Sequence, residues 1–369
     1  MKVSFSAIQT YLACEARYAY KYRDGLRVIR SSPHFEVGSI IHAALETILT
    51  AHWRGDPLPS AEIAVRDGCA KLREKRRMTP DSEDHAIQAV RALEWHVPRM
   101  RLESWETITV NDAPAVELEL AVPFGGVTLQ AHIDWIARSK VNGRVYVIDH
   151  KTSKNRLTDQ GWAEFDLQLS LYQEATRIAG IESFGALLHQ MCYHPPSDVA
   201  PLKRVAKAGR RFSSSQSTRT DWETYQNALI AHGEDPDQYL DMRDMLDDQC
   251  AKAPFRRWVP NITTPGGHEK MLGIARQAID GMRAIKEDGA REQPTRVSEW
   301  TCGQCEMRPW CDAVLLGHDP RSLILSVYSP DEGSPYADVA PGDVQAIQAY
   351  AARTAQNDRY NTHGYTPHG

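Results

Sequence analysis

The hydrophobic pattern of this chain changes near residue 105, and this change constrains the fold more than any other feature. Before it, apolar residues recur at helical spacing; after it come four alternating runs, WETITV, AVELELAVPF, VTLQAHIDWIAR and RVYVIDHKT. Turn-forming stretches separate these runs, as in a strand meander. A helical run, EFDLQLSLYQEATRIAG, and a further strand run, SFGALLHQMCYH, follow. The pattern predicts an α/β (α+β) fold in which a central mixed sheet of about four to five strands is flanked by helices.

Five regions can be distinguished along the chain. We predict an N-terminal helical region at 1–103, a core sheet with its helix at 104–195, a helical insertion at 196–295, a cysteine-containing segment at 296–315 and a C-terminal tail at 316–369. The first region carries Cys14 and His42. The tail is rich in Pro, Gly, Asp and Tyr, and we expect one short helix in it, at 342–356, and otherwise weak order.

Composition excludes some classes of protein. Hydrophobic content of 42% and charged content of 25% are ordinary for a globular chain of 369 residues. Apolar runs of the roughly 18 to 20 residues that a membrane span needs are missing, and the first residues lack the apolar core of a signal peptide. We therefore expect a cytoplasmic protein with no membrane partner. The net charge of −5 does not indicate a wholly basic nucleic-acid binder, although a local basic surface stays open.

An acid and a lysine stand two positions apart in YVIDHKTSK, at the end of the fourth alternating run. Because strand side chains alternate between faces, Asp149 and Lys151 share one face while His150 points to the other. The two charges can form a plain ion pair. Asp134, at the end of LQAHID in the preceding run, favours a second interpretation. Two acids on neighbouring strands and a lysine form a compact site for a hard divalent cation and a phosphate.

Six motifs, in order, resemble the RecB-like branch of the PD-(D/E)xK nuclease superfamily. They are SFSAIQTYLAC ending at Cys14, GSIIH ending at His42, AHID with Asp134, DHK with Asp149 and Lys151, QLSLY with Gln168 and Tyr172, and CGQCEMRPWC. Ala131 stands where that branch usually has glycine, at a packing position rather than a ligand position. The resemblance implies a restriction-endonuclease-like core that carries helical insertions.

The resemblance also implies which residues carry the chemistry. Mg²⁺ or Mn²⁺ would be held by His42, Asp134, Asp149 and the backbone carbonyl of His150, and would act on the attacking water and on the phosphate. Lys151 would position or deprotonate that water and stabilise negative charge. Gln168 and Tyr172, one helical turn apart, would orient the lysine and contact DNA.

Each of these residues also has a plainer interpretation. Taken alone, His42 would be a core histidine with satisfied hydrogen bonds, and Gln168 with Tyr172 would be a solvated pair on one helix face. Glu119, on the strand before Asp134, is either a metal ligand acting through water or a structural residue, and we favour the structural role.

Three of the seven cysteines, Cys302, Cys305 and Cys311, lie within ten residues. In a reducing compartment such a cluster indicates a metal site rather than disulfides, and one ligand is missing from a four-coordinate set. Cys14 is the fourth ligand that the resemblance implies. Four thiolates suit a [4Fe-4S] cluster or zinc; the single CxxC pair and the match to the RecB-like spacing favour the cluster.

Aromatic residues beside basic residues are the candidates for contact with DNA. FRRW places Arg256 and Arg257 beside Trp258, and the first helical run contains Tyr18 and Tyr22 among basic residues. This combination can stack bases and neutralise the backbone of a single strand. It specifies no base sequence, so single-stranded DNA or DNA ends are the expected substrates.

We therefore expect a metal-dependent DNA exonuclease in recombination, repair, phage DNA metabolism or CRISPR adaptation, in a bacterial or phage-infected cell. The sequence contains no GxxxxGK[ST] motif, so helicase activity would come from a helicase or recombination partner. The alternative is a non-catalytic DNA-binding or assembly subunit with the same fold. The presence of Asp134, Asp149 and Lys151 together argues against that alternative.

Overall fold

The computed structural model describes residues 1–29, 33–74, 82–157, 166–202, 210–213, 215, 218–261, 265–287, 302–303, 305–324, 327–331 and 334–336. The tail helix predicted at 342–356 lies outside the described residues. No helix in the described part of the chain is both long and apolar enough to cross a bilayer.

The strands are short except for the three that form the centre of the sheet. They are β1 (Lys2–Ser4), β2 (Leu26–Val28), β3 (Trp105–Thr107), β4 (Thr109–Val110), β5 (Ala113–Pro114), β6 (Val116–Phe124), β7 (Val127–Ser139), β8 (Val145–Ser153), β9 (Gly185–Cys192), β10 (Arg256–Pro260) and β11 (Tyr328–Pro330).

The helices precede the strand meander and follow it, as the sequence predicts. They are α1 (Phe5–Ala13), α2 (Glu15–Tyr18), α3 (Pro33–Arg54), α4 (Ala61–Glu74), α5 (Ser82–His96), α6 (Leu167–Ile178), α7 (Trp222–Ala231), α8 (Leu240–Lys252), α9 (Pro265–Glu287) and α10 (Arg308–Leu315). A π-helical turn, Ala19–Arg23, follows α2.

The main sheet of the described chain has the order β1-β7-β8-β9-β10, and β3 and β6 also pair with β7. β7 and β8 are antiparallel, β8 and β9 are parallel, and β9 and β10 are antiparallel. The predicted mixed sheet flanked by helices is therefore confirmed, and its architecture is that of a restriction-endonuclease-like fold. The sheet is wider than predicted because β1 and β10 add to it.

Helices cover both faces of this sheet. Buried residues of α3, α4 and α5 pack with Ile148 and Met191, which lie on the face opposite Asp149. A parallel pair of strands needs a crossover, and α6 supplies it between β8 and β9. The α6 helix begins where the Asp166 side chain accepts a hydrogen bond from the backbone N of Leu169 at 3.1 Å. It ends before Gly180, whose φ of 77° is readily accessible only to glycine.

The chain forms two compact units. One comprises Met1–Ser31, Pro123–Leu129 and Gly273–Gly369, and the other comprises Ser32–Val122 and Gln130–Leu272. The four predicted cluster cysteines belong to the first unit, and all predicted catalytic residues belong to the second. The five region boundaries predicted from the sequence stay predictions.

The first unit has a small core of its own. Ala16, Tyr20 and Leu26 pack there with Trp310 and Tyr328. The β2 and β11 strands pair antiparallel beside this core. The N-terminal segment and the segment after residue 305 are therefore folded together.

Candidate active site

The candidate site lies where the ladder between β7 and β8 ends. Pairing runs from Arg138 opposite Val145 to Trp135 opposite Ile148. One residue further on, the Oδ2 atom of Asp134 accepts a hydrogen bond from the backbone N of His150 at 2.6 Å. A side-chain carboxylate thus takes the place of a strand carbonyl, and this fixes Asp134 against β8.

Two side chains, those of His42 and Glu117, lie beside the Asp134 carboxylate. The Nδ1 atom of His42, in α3, lies 3.4 Å from Oδ1 of Asp134 and 3.8 Å from Oε1 of Glu117, in β6. Among the described residues, these three form the one group of histidine, cysteine or acidic side chains whose ligand atoms all lie within 4.8 Å of one another. Carboxylate oxygens and imidazole nitrogens are common ligands of divalent metal ions. The group can therefore hold a metal ion.

Glu117, the acidic residue of β6 in this group, has an unusual backbone conformation. Its φ is 49°, in the left-handed region that few residues other than glycine adopt. The side chain of Glu119, two residues later, is 86% exposed and lies 3.8 Å from His132 Nε2. The sequence pattern drew attention to Glu119 and missed Glu117. Regular alternation would place both acids on one face, so the pattern held no signal that separates them.

Asp149 is buried next to this group. Its Oδ1 accepts a hydrogen bond from Gln168 Nε2 at 2.9 Å. Its Oδ2 lies 3.0 Å from the Nζ atom of Lys151, but without hydrogen-bond geometry, and no described group donates to it. Burial, together with the negative charge of Asp134, raises the pKa of Asp149 to about 7. A buried carboxylate close to a second carboxylate is typical of a cation-binding site.

Gln168 connects the remaining predicted catalytic residues. Its Oε1 accepts a hydrogen bond from Lys151 Nζ at 2.7 Å, and its Nε2 donates to Tyr172 Oη at 2.8 Å as well as to Asp149. Burial lowers the pKa of Lys151, but the charges of Asp149, Asp134 and Asp166 together raise it by more, so the net shift of the pKa is upward. Lys151 therefore remains an ammonium ion at neutral pH. Gln168 and Tyr172 face the site rather than the solvent.

Asp134 and His42 are oppositely charged in the absence of a cation. Burial alone would raise the pKa of Asp134. The charge of His42 and the hydrogen bonds from His42 and from the His150 backbone amide lower that pKa well below its usual range. Burial alone would lower the pKa of His42, but the charge of Asp134 raises it well above its usual range. A cation that binds both side chains must therefore displace the imidazole proton, which couples metal binding to pH.

The side chain of His150 points away from the site, as alternation requires. Its Nδ1 lies 3.0 Å from Nδ1 of His189, and the His189 ring stacks on Trp258 with centroids 4.0 Å apart. Burial lowers the pKa of His150 to about 4 and that of His189 well below its usual range. Both imidazoles are neutral at pH 7 and pack behind the Asp149 strand. His150 can contribute to the site through its backbone.

The four predicted cluster cysteines surround one cavity in the first unit. Cys14, Cys302, Cys305 and Cys311 line it together with Arg17 and Tyr20. Burial, followed by the charges of Asp312 and the other three cysteines, raises the pKa of Cys311 to about 11. Arg17 and Glu306 form an ion pair at 2.6 Å beside the cavity. The structure thus brings together thiols that are far apart in sequence.

Two of the aromatic residues predicted to contact DNA are packed against other rings of the protein. Tyr18 is 2% exposed and stacks on Tyr22, so its ring lies in the interior of the first unit rather than at a binding face. Trp258 packs between His189 and Trp105. The position of neither Tyr18 nor Trp258 supports stacking on a DNA base.

The chain belongs to the PD-(D/E)XK nuclease superfamily, whose family model matches residues 2–312. A search of curated proteins gave no significant match. Among solved structures, the fold is similar to that of a protein from Eubacterium rectale with a provisional exonuclease assignment. The two are 11% identical, with a TM-score of 0.44, and the match covers 82% of this chain and 88% of that one.

Proposed function

We propose that this protein is a metal-dependent DNA exonuclease of the RecB-like branch, which hydrolyses phosphodiester bonds in single-stranded DNA or at DNA ends. Membership of the superfamily supports a nuclease that acts on DNA. The observation that carries the proposal further is the connected group of Asp134, Asp149, Lys151 and Gln168 with His42 beside it. The finer activity rests on the six motifs of the RecB-like branch, all found in this chain.

The donor set fits a hard divalent cation, Mg²⁺ or Mn²⁺. His42, Asp134, Asp149 and the backbone carbonyl of His150 would hold it, and Glu117 adds a carboxylate that the sequence did not predict. The two buried carboxylates of Asp134 and Asp149, close enough for the charge of one to raise the pKa of the other, are the structural observation that favours a cation here. When bound, the cation would supply Lewis-acid activation of water and neutralisation of phosphate charge.

Lys151 would act on the substrate directly, whereas Gln168 would act through Lys151 and Asp149. The Lys151 ammonium stays charged and would stabilise the negative charge that develops on the phosphate oxygens. Gln168 would keep the ammonium and Asp149 at a fixed separation, since it is hydrogen-bonded to both. Burial raises the pKa of Tyr172, so its hydroxyl stays neutral beside the phosphate and provides a hydrogen-bond donor.

The cysteine cavity would hold a [4Fe-4S] cluster, with zinc as the alternative. Four cysteine thiols around one cavity fit either group. The CxxC-x5-C spacing with a distant fourth cysteine matches the cluster-binding pattern of the RecB-like branch. The cluster would be structural, because its ligands lie in a different unit from the catalytic residues.

The biological context is proposed from the same resemblance. A helicase or recombination protein would supply separated strands, and the pathway would be recombination, repair, phage DNA metabolism or CRISPR adaptation in the cytoplasm.

The proposed activity is tested by cleavage of end-labelled single- and double-stranded DNA with Mg²⁺ or Mn²⁺. Wild type should shorten the labelled strand, whereas Lys151→Ala should lose at least a hundredfold in rate. The matched control is Lys154→Ala, which removes an exposed lysine three residues further along and should cleave as wild type does. Equal degradation by wild type and Lys151→Ala would rule out the catalytic assignment.

The cluster is tested by colour and metal content. Anaerobically purified protein should be brown, with iron and sulfide in equal amounts, and Cys14→Ser should lose the colour. Cys250→Ser is the control, because Cys250 is not among the residues that line the cavity. A colourless protein with stoichiometric zinc would show that the cavity binds zinc rather than an iron-sulfur cluster.

A further inference from the structure

Neighbouring residues of β10 point to opposite faces of the sheet, which separates the two arginines of the FRRW stretch. In the ladder between β9 and β10, Arg257 is opposite Gln190 and Trp258 is opposite His189. His189 in turn is opposite His150 in β8, on the face that points away from the site. Arg256, on the same face as Trp258, donates a hydrogen bond to the carbonyl of Arg99. Arg256 is therefore tied to the chain segment behind the sheet.

Arg257 lies on the other face, at the level of the catalytic lysine. Lys151 in β8 is opposite Gln190 in β9, and Gln190 is opposite Arg257 in β10. Paired residues of adjacent strands share a face, so these three side chains form a row across the catalytic face. Adjacent strands are about 4.8 Å apart, which puts Arg257 roughly 10 Å from the Lys151 strand.

Gln190 holds the guanidinium group in this row. It is 8% exposed, and its Oε1 accepts a hydrogen bond from Nε of Arg257. Arg257 itself is partly exposed. The planar guanidinium carries five N–H donors in a fixed fork, a geometry that suits phosphate. The guanidinium of Arg257 is thus oriented by the buried amide of Gln190. Gln190 belongs to β9, the strand between Arg257 and Lys151.

Two more arginines lie against Phe255, two residues before Arg257 in the chain. Arg156, just after β8, donates to the carbonyl of Ala253 through Nε, and Arg219 donates to the carbonyl of His194 at 2.9 Å. Both guanidinium groups lie over the ring of Phe255, at 4.6 and 5.6 Å from its centroid. These acceptors are neutral carbonyl groups, so the contacts fix the two arginines without cancelling their charge.

We propose that Arg257 binds a backbone phosphate that flanks the scissile phosphate, so that the substrate strand crosses the sheet from β8 over β9 to β10. This inference rests on the proposed function, because it assumes that Lys151 marks the scissile position. The ligand is the phosphodiester backbone of a single strand rather than any base. Gln190 is a positioning residue that acts through Arg257, and Arg256 has no part in binding.

Binding is measured without cleavage, by fluorescence anisotropy of a labelled 12-nucleotide thymidine strand in EDTA. Arg257→Ala should weaken binding about tenfold, as expected for one charge-assisted contact. For Arg257→Ala, the slope of log affinity against log salt concentration should be smaller in magnitude by about 0.7, the value for one phosphate contact on a single strand. Arg256→Ala removes the same charge one residue away on the opposite face and should change affinity less than twofold. Equal losses in both variants, or wild-type binding by Arg257→Ala, would overturn the proposal.

Two further variants separate contact from damage to the fold. Arg257→Lys keeps the charge and should recover part of the affinity and the full salt dependence. Gln190→Ala should weaken binding less than Arg257→Ala, and adding it to Arg257→Ala should have no further effect. An additional loss in the double variant would show that Gln190 does not act through Arg257.

A substrate with a single phosphodiester distinguishes this inference from the proposed function. On thymidine 5′-monophosphate p-nitrophenyl ester, which has no flanking phosphate, Arg257→Ala should keep the wild-type kcat/KM. On the 12-nucleotide strand it should lose about tenfold. Equal losses on both substrates would place Arg257 in catalysis and overturn the inference. If wild type cleaves neither substrate, the proposed function fails, and the anisotropy result still decides whether Arg257 binds the strand.

Discussion

Gly38 and Thr152 approach so closely that a β-carbon on Gly38 would lie 2.9 Å from Oγ1 of Thr152. Such a separation is shorter than side chains normally allow. Gly38 lies one helical turn before His42, so the glycine of GSIIH lets α3 pack against β8 at the point from which His42 reaches Asp134. The glycine and the histidine of this motif are therefore linked by a packing requirement.

Gly38→Ala should push α3 away from β8. We expect a loss of about 1–3 kcal/mol in the free energy of unfolding, the usual cost of overpacking, together with weaker metal binding because His42 moves. The double variant Gly38→Ala/Thr152→Ala should recover part of both, as measured by urea unfolding and Mn²⁺ titration. The control is Gly273→Ala, since a β-carbon there would meet no atom within 4 Å. No recovery in the double variant would contradict the packing explanation.

Gln168→Ala should lower kcat by about ten- to a hundredfold, the range seen when a supporting hydrogen-bond partner is lost. The variant removes the hydrogen bonds to Lys151 and Asp149 while leaving both groups in place. KM for DNA should change little, because Gln168 is buried. Steady-state kinetics at saturating Mn²⁺ test this. Gln173→Ala, on the same helix, serves as the control; an equal fall in its kcat would indicate a general effect on α6.

Glu117→Gln should weaken Mn²⁺ binding by about ten- to a hundredfold, whether Glu117 contacts the cation directly or through a neighbouring ligand. The side chain keeps its size but loses a charge beside His42. Glu119→Gln removes the same charge from the exposed side chain two residues away and should bind Mn²⁺ normally. Calorimetric titration of the metal-free protein compares the two. A larger loss in the Glu119 variant would contradict the assignment of Glu117 to the site.

His96 should make the second unit sensitive to acid. Burial is the main cause that lowers the pKa of His96 to about 4, and the charges of Arg256 and Arg99 lower it as well. The hydrogen bond from its ring to the carbonyl of Cys192 raises the pKa, but by less. An unfolded histidine has a pKa near 6.5, so between pH 6.5 and 4 only the unfolded chain takes up the proton. The contribution of His96 is complete above pH 6.5 and is lost as the pH falls toward 4.

The size of this effect follows from the two pKa values. Between pH 7 and pH 5, His96 should account for a loss of about 2 kcal/mol in the free energy of unfolding. In His96→Gln the loss over the same interval should be smaller by about that amount, as measured by urea unfolding at the two pH values. The exposed His318 provides the control variant His318→Gln. Identical pH dependence in wild type and His96→Gln would disprove the prediction.

The fold was predictable because its signals are local. Alternation in the runs after residue 105 and the helical period of α6 do not depend on tertiary contacts, and the mixed sheet was correctly predicted from them. β10 was missed because its residues, RRWVP, look like a basic and aromatic patch rather than a strand. Only its pairing with β9 makes it part of the sheet.

The candidate site was predictable as a set of motifs but not as a geometry. The structure brings His42, Asp134, Asp149 and Lys151 together, as the motif order implied. The inclusion of Glu117 depends on one backbone angle that no sequence period encodes. Aromatic and basic residues in the first helical run suggested stacking on bases, but Tyr18 is buried by contacts made elsewhere in the chain. Composition cannot tell a packed tyrosine from an exposed one.

The ion pair between Arg17 and Glu306 joins residues 289 positions apart in sequence. At 5–20 residues per second, Glu306 is therefore synthesised roughly 15 to 60 s after Arg17. Over that interval Cys14 would be on the nascent chain without the three cysteines that share its cavity. Whatever fills the cavity can be enclosed by all four cysteines only after Cys311 has been synthesised.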